Sequence, residues 1–170
     1  FLTYIITLAL FPVISSNLSS IKECESHNRL RNDLFTPVTF LVFNAGDLLG
    51  RLFVTDVPID KIPNLPRKLV WMSVARFLFV PLFLLCYSRT SIYSSMAIPS
   101  DVFSLVVQFL FAVTNGMLTS VCFRLAPGLI PATTEMQQIS SAILNFSLCF
   151  GLLCGSFLSF PLHWIFTGHW

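Results

Sequence analysis

Five apolar stretches alternate with short polar connectors along the chain, and each predicts a membrane-spanning helix. They cover about residues 1–16, 35–54, 69–87, 102–123 and 139–165. A helix of about 20 apolar residues crosses the hydrocarbon core of a bilayer. Long runs of this kind are typical of helices and not of the alternating strands of an outer-membrane barrel. The pattern therefore predicts an all-α membrane protein, a bundle of about five transmembrane helices.

The composition agrees with a membrane protein and excludes several other classes. Hydrophobic residues make up 55% of the chain and charged residues 11%, where soluble domains have about a quarter. The net charge is +2 and the charges concentrate in the connectors, so no nucleic-acid surface is indicated. The five cysteines form no CxxC motif or other metal-binding spacing. Without a nucleophile, a metal cluster or an acid pair, we expect no enzyme activity, no metal and no cofactor.

The second stretch carries an aspartate and an arginine inside a segment whose composition favours lipid. On an insertion scale, Asp47 and Arg51 each cost about 2.5 to 3.5 kcal/mol, while each large apolar residue returns only about 0.3 to 0.6 kcal/mol. Asn44, Asp47 and Arg51 are spaced to share one side of a helix. That side should face protein or a water-filled cavity. A functional site and a salt bridge that only sets helix packing are equally open at this point.

Two further polar residues lie inside apolar stretches. Arg76 in the third stretch could extend to the membrane interface, or could face the same polar interior as Asp47. We favour a functional or gating ion pair, since a basic residue inside a bundle requires a carboxylate partner. Asn115 in the fourth stretch could hydrogen-bond between helices or line a cavity.

Glycine pairs predict where helices approach one another closely. Gly46 and Gly50 stand four residues apart in the second stretch, and Gly151 and Gly155 do so in the fifth. Small residues at this spacing let two backbones come into contact within a membrane. Pro81 lies inside the third stretch and predicts a bend there, because proline removes a backbone hydrogen bond.

The connectors carry weaker signals. Residues 55–68 contain three prolines and a basic end, and predict a stiff, extended link. Thr134 and Gln137 fit a capping box that begins the last helix. Asn17 begins an Asn-Leu-Ser glycosylation sequon, although it lies close to the membrane.

The run 43–51, Phe-Asn-Ala-Gly-Asp-Leu-Leu-Gly-Arg, resembles the eighth-helix signature of the equilibrative nucleoside transporters. Four further blocks follow the family's order. Residues 10–12 are similar to the seventh helix, 75–86 to the ninth, 114–122 to the tenth and 148–155 to the eleventh. The ordered set covers nearly the whole chain and is more specific than any one block.

The resemblance implies an eleven-helix fold like that of the major facilitator superfamily. This chain, residues 1–170, would be helices seven to eleven, the C-terminal transmembrane half, and its partner would be an N-terminal half of six helices. Connectors 55–68 and 124–138 would be cytoplasmic, and 17–34 extracellular. The family carries nucleosides, in some members nucleobases, by facilitative transport with alternating access across the plasma membrane or an organellar membrane.

The resemblance also implies roles for single residues. Asp47 and Arg51 match positions that bind the sugar, with Phe40 and Asn44 near the substrate on the same helix. Ala45 is smaller than the residue expected there, as is its neighbour Gly46. Arg76 and Asn115 would be gating or structural polar residues. The competing hypothesis is a non-transporting receptor or scaffold, in which the same charges hold helices together.

Overall fold

A computed structural model describes most of the chain as helices. The described residues are 2–18, 34–55, 57–58, 62–86, 98, 100–128 and 134–167. The helices are α1, Leu2–Asn17; α2, Phe35–Thr55; α3, Leu65–Ala75; a 3-10 turn, Arg76–Leu78; α4, Phe79–Leu84; α5, Asp101–Gly128; and α6, Thr134–Thr167. No β-strand occurs within these ranges, which confirms the prediction of an all-α protein.

Three of the helices are long and apolar enough to cross a membrane. They are the segments Phe35–Thr55, Asp101–Leu125 and Gln138–Ile165. Helix α1 contributes a shorter apolar segment, Leu2–Phe11. The third apolar stretch forms α3, the 3-10 turn and α4 in succession, so no single long helix occupies it. The predicted count of five spans therefore stays a prediction.

The break between α3 and α4 has a cause in the sequence. Pro81 has no N–H to donate to the carbonyl of Phe77, and its ring crowds that carbonyl. The backbone tightens to a 3-10 turn over Arg76–Leu78, one turn before the proline. The bend predicted at Pro81 is thus accommodated by a change of helix type in the preceding turn.

The third stretch begins earlier than predicted. Helix α3 starts at Leu65, with Pro66 in its first turn, where a missing N–H costs nothing. Asn64 precedes it in the left-handed conformation, with φ of 56°. The prediction of an extended link through residue 68 is therefore wrong for residues 65–68, which are helical.

Helices α2 and α5 make the most extensive contact in the described chain. At Gly46, an added Cβ would stand 2.9 Å from the Cβ of Ala112. At Gly50, it would overlap the carbonyl oxygen of Val113. On the facing helix, a Cβ at Gly116 would overlap the carbonyl oxygen of Asp47. The two helices touch backbone to backbone because small residues line both sides of the crossing.

Helix α6 packs on α1 at Gly155. Gly151 and Gly155 are both buried. A Cβ at Gly155 would stand 2.8 Å from the Cβ of Leu8 and 2.9 Å from the carbonyl oxygen of Ile5. Most other large side chains of α6 are exposed, with Phe146 at 70% and Phe157 at 67%. This outer surface suits contact with lipid or with further helices.

An aromatic cluster fills the centre of the bundle. Phe111 is completely buried, and its ring centroid lies 5.2 Å from that of Phe79 and 5.3 Å from that of Phe83. Phe43 lies 6.3 Å from Phe111 and stacks on Phe11 at 3.7 Å. This cluster connects α1, α2, α4 and α5, and its Phe111 ring contacts the Arg76 guanidinium.

Two predictions about the connectors lie outside what the structure describes. Residues 19–33, among them the Ser19 that completes the sequon at Asn17, are not among the described residues. The same holds for the side chains of Thr134 and Gln137, on which the capping box depends.

Candidate functional site

Asp47 and Arg51 form an ion pair along one side of α2. The Nε of Arg51 donates to Oδ2 of Asp47 at 2.8 Å, one helical turn away. The Arg51 side chain is 48% exposed and that of Asp47 is 17% exposed. The carboxylate thus lies at the edge of the bundle, and the guanidinium extends outside it.

The second carboxylate oxygen of Asp47 is bound from the opposite helix. Nδ2 of Asn115 on α5 donates to Oδ1 of Asp47 at 2.7 Å. Asn115 is 5% exposed. The contact follows from the backbone approach at Gly116, which brings the adjacent Asn115 within reach of α2. A hydrogen bond to an ionised group is stronger than one between neutral groups, so Asn115 stabilises the carboxylate in a defined position.

The hydrogen bonds continue from Asn115 to Thr7 on α1 and to Arg76 in the 3-10 turn. Oγ1 of Thr7 donates to Oδ1 of Asn115 at 2.7 Å. Oγ1 of Thr7 also accepts a hydrogen bond from Nη2 of Arg76 at 3.0 Å. One connected set of side chains therefore runs from Arg51 through Asp47, Asn115 and Thr7 to Arg76. It joins four elements of the bundle at one level.

Arg76 is fully enclosed, with 1% of the residue exposed. Its Nη1 donates to Oγ1 of Thr114 at 2.9 Å and to the Phe111 carbonyl at 3.2 Å. Its guanidinium carbon lies 4.3 Å from the centroid of the Phe111 ring, a cation–π contact. The Nε is buried without a hydrogen-bond partner among the described residues. Arg76 therefore faces the interior and does not extend to the interface.

The partner expected for Arg76 differs from what the structure shows. The sequence favours a functional or gating ion pair with a carboxylate, yet the hydrogen bonds of Arg76 in the described chain go to neutral oxygens of Thr7, Thr114 and Phe111. Among the described residues, the hydrogen bonds from Arg76 lead to Asp47 through Thr7 and Asn115. Neutral groups thus separate the two charges, and Asp47 keeps Arg51 as its ion-pair partner.

Asn44 and Phe40 lie on the same helix but outside this set. Asn44 is exposed, and its Nδ2 donates to the carbonyl of Phe40 at 2.8 Å. The Phe40 ring is half-buried and meets the Phe11 ring edge-on, with centroids 5.1 Å apart. Asn44 therefore shares the exposed side of α2 with Arg51 but does not contact Asp47 through any described hydrogen bond.

That exposed side of α2 carries large apolar residues as well. Leu41 is 67% exposed, Leu48 is 57% exposed and Leu52 is 55% exposed. They lie with Asn44 and Arg51 opposite the glycines that contact α5. A mixed apolar and charged helix face suits contact with another protein surface or a water-filled cavity better than lipid.

The sequence places Thr114 in the polar part of the fourth stretch, but it indicates neither Thr7 nor Thr114 as a partner of Arg76. A single threonine inside an apolar stretch does not by itself indicate a polar site, because its hydroxyl can hydrogen-bond to a carbonyl of its own helix. A signal was present at Thr3 and Thr7, which share one side of α1. The Thr3 hydroxyl indeed pairs with that of Ser73 at 3.0 Å.

The arrangement can bind polar groups. Asp47 can accept hydrogen bonds from hydroxyls, and Arg51 can donate to hydroxyl or ring oxygens. Within the described ranges no group of three or more His, Cys, Asp or Glu residues could hold a metal ion.

Apolar helices of this length and a buried polar set define a multi-pass integral membrane protein. A family model described as nucleoside transporter matches residues 1–164. The chain belongs to the nucleoside transporter family, which confirms the resemblance stated for its sequence.

Named relatives agree with the family match. Human equilibrative nucleoside transporter 2 is 33% identical over 161 residues, covering 94% of this chain and 33% of the relative. Human equilibrative nucleoside transporter 1 is 34% identical over 161 residues, covering 92% of this chain and 33% of the relative. The yeast nucleoside transporter FUN26 is 31% identical over 166 residues, covering 94% of this chain and 31% of the relative. The chain thus spans about a third of the length of the curated relatives it matches. These relatives are named as transporters and not as enzymes.

Proposed function

We propose that this chain forms the C-terminal transmembrane half of a facilitative nucleoside transporter. Its five apolar stretches would be helices seven to eleven of an eleven-helix, major-facilitator-like fold. The other half would be an N-terminal bundle of six helices. Substrate would bind between the halves and cross by alternating access, as one half rocks against the other. The matches to transporters about three times as long support this assignment.

The observation that carries the proposal is the Asp47–Arg51 pair on the exposed side of α2. Asp47 lies twelve residues from the start of the helix at Phe35, or about 18 Å along its axis. That depth is near the middle of a bilayer core about 30 Å thick. Charges there require a polar surrounding, and the described chain covers only the inner side of the pair. A substrate cavity facing the second half supplies that surrounding.

The chemistry of a nucleoside fits these side chains. The ribose diol can donate to the Asp47 carboxylate, and Arg51 can donate to a hydroxyl or to the ring oxygen. The half-buried Phe40 ring offers an apolar surface near the site for the base. Asn44 lies exposed beside it and has amide hydrogen-bonding capacity for base edges. Asp47, Arg51, Asn44 and Phe40 are therefore the proposed substrate-binding residues.

Uptake of tritiated uridine by cells expressing the full-length protein tests the proposal. Loss of one charge-assisted hydrogen bond costs about 1.5 to 3 kcal/mol, so Asp47→Asn and Arg51→Lys should each raise the half-saturation concentration by about 10- to 100-fold. Asp101→Asn and Arg67→Lys are matched controls, because both residues lie at helix starts away from the site. Surface expression is measured for every variant.

Two results would overturn the assignment. Normal saturation in both Asp47→Asn and Arg51→Lys would remove these residues from the substrate site. Absence of saturable uptake, together with a melting temperature that uridine does not change, would favour the receptor or scaffold hypothesis. In that case a double-mutant cycle should show strong coupling between Asp47 and Arg51 in the free energy of unfolding, and the role of the pair would be to hold the helices together.

A further inference from the structure

We propose that Thr7 is a positioning residue whose hydroxyl orients Asn115 and, through it, the Asp47 carboxylate that receives the sugar hydroxyls. This inference rests on the proposed function of Asp47. Thr7 would not touch the substrate. It would act two hydrogen bonds away, from a different helix.

Three hydrogen bonds of good length connect these residues. Nη2 of Arg76 lies 3.0 Å from Oγ1 of Thr7, which lies 2.7 Å from Oδ1 of Asn115. Nδ2 of Asn115 lies 2.7 Å from Oδ1 of Asp47. Thr7, Asn115 and Arg76 are each at most 5% exposed. Water therefore has little access with which to replace a lost bond.

The two ends of this chain of bonds determine the direction of every bond in it. An arginine guanidinium can only donate, and an ionised carboxylate can only accept. Asn115 must therefore present its NH2 group to Asp47 and its oxygen to Thr7. Thr7 must accept from Arg76 and donate to Asn115. All protons point toward Asp47, and only a hydroxyl at residue 7 can both accept and donate in this place.

Thr7 has a second acceptor within reach, and the charges decide between the two. Its Oγ1 lies 2.6 Å from the carbonyl oxygen of Thr3, four residues earlier in α1. A hydroxyl has one proton. If that proton went to Thr3, the oxygens of Asn115 and Thr7 would face each other without a proton between them. Turning the amide over would instead direct its oxygen at the Asp47 carboxylate, so the bond to Asn115 is the favoured one.

Removing the hydroxyl should loosen Asp47 without unpacking the bundle. Valine has nearly the shape of threonine but neither donates nor accepts. In Thr7→Val, the Asn115 oxygen loses its donor on the side away from Asp47, and Nη2 of Arg76 loses one acceptor. The carboxylate then loses its fixed orientation toward the substrate face. Thr7→Ser keeps the hydroxyl and is the matched control.

The experiment compares two substrates in the full-length protein. Uridine presents both ribose hydroxyls, and 2′,3′-dideoxyuridine lacks the diol that Asp47 would bind. We expect Thr7→Val to raise the half-saturation concentration for uridine by about 3- to 10-fold, the range of one neutral hydrogen bond. For dideoxyuridine the value should change by less than about twofold. The maximal uridine rate per surface molecule should stay within about twofold of wild type, as should all values for Thr7→Ser.

The outcomes separate this inference from the proposed function. If Thr7→Val raises the half-saturation concentration equally for uridine and dideoxyuridine, the residue has a general structural role and the inference is wrong. If Thr7→Ser is as impaired as Thr7→Val, the hydroxyl is not the determinant and the inference is also wrong. An effect of Asp47→Asn without any effect of Thr7→Val would overturn the inference alone. No effect of Asp47→Asn would overturn the assigned site itself. Thr7→Ala repeats the comparison if Thr7→Val does not reach the surface.

Discussion

Replacing Gly116 with alanine should force α2 and α5 apart. An added Cβ would overlap the carbonyl oxygen of Asp47 and stand 2.9 Å from its carbonyl carbon and 3.0 Å from the backbone nitrogen of Arg51. All three are backbone atoms, so no side chain can rotate away to relieve the overlap. The relief must come from separation of the helices by on the order of 1 Å, because packed interiors have little free volume.

Two contributions make up the loss of stability expected for Gly116→Ala. Overpacking of a close contact costs about 1 to 3 kcal/mol. The same movement would stretch the 2.7 Å hydrogen bond between Asn115 and Asp47, and a bond to a charged group contributes about 1.5 to 3 kcal/mol. Together they amount to about 2.5 to 6 kcal/mol. At about 2 to 4 °C per kcal/mol, the melting temperature should fall by roughly 5 to 24 °C.

Thermal unfolding of the detergent-solubilised full-length protein, followed by fluorescence-detected size exclusion, measures this effect. Val106→Ala is the control, since Val106 lies on the same helix and is 48% exposed. Its melting temperature should stay within about 2 °C of wild type, as is usual for surface substitutions. If Gly116→Ala melts with the control, α2 and α5 do not meet backbone to backbone. Gly116 would then not be the residue that brings Asn115 to Asp47.

Three further substitutions test other contacts by the same melting assay. Gly155→Val should lower the melting temperature by several degrees, because its side chain would collide with Leu8 on α1. Arg124→Gln should lower it by about 1 to 6 °C, since the Arg124 guanidinium donates to the Val54 carbonyl at the end of α2. Arg76→Lys should reduce both stability and uridine uptake, because an ammonium cannot reproduce the planar fork of the guanidinium. Wild-type melting in any variant would refute the corresponding contact.

The sequence predicted the long helices well and the broken one poorly. Helices α2, α5 and α6 lie within a few residues of the predicted spans, apart from extensions at the ends of α5 and α6. Uninterrupted apolar runs leave a backbone in lipid no alternative to helix. In the third stretch, Pro81 interrupts the hydrogen-bond ladder. Whether such a segment bends, tightens or breaks depends on its neighbours and not on its own composition.

The start of α3 decides between the two positions that the sequence leaves open for Arg76. With a helix start at residue 69, Arg76 would lie about two turns in, within reach of the interface. The helix starts at Leu65, which places Arg76 eleven residues in, or about 16 Å along the axis. At that depth a guanidinium must find partners inside the protein. It finds Thr7, Thr114 and the Phe111 ring, none of which the sequence indicates as a partner.

The link between Asn115 and Asp47 depends on a contact that hydropathy cannot show. Residue spacing places Asp47 and Arg51 one helical turn apart on a common side, so their pairing follows from one helix alone. The Asn115 bond requires two helices to cross at a particular level. Gly116 sets that level, because only a residue without a Cβ lets α5 touch the backbone of residue 47. The neighbouring side chain then meets the carboxylate at 2.7 Å. Steric fit at one glycine therefore decides which polar groups meet, and a change at Gly116 should alter substrate binding as well as stability.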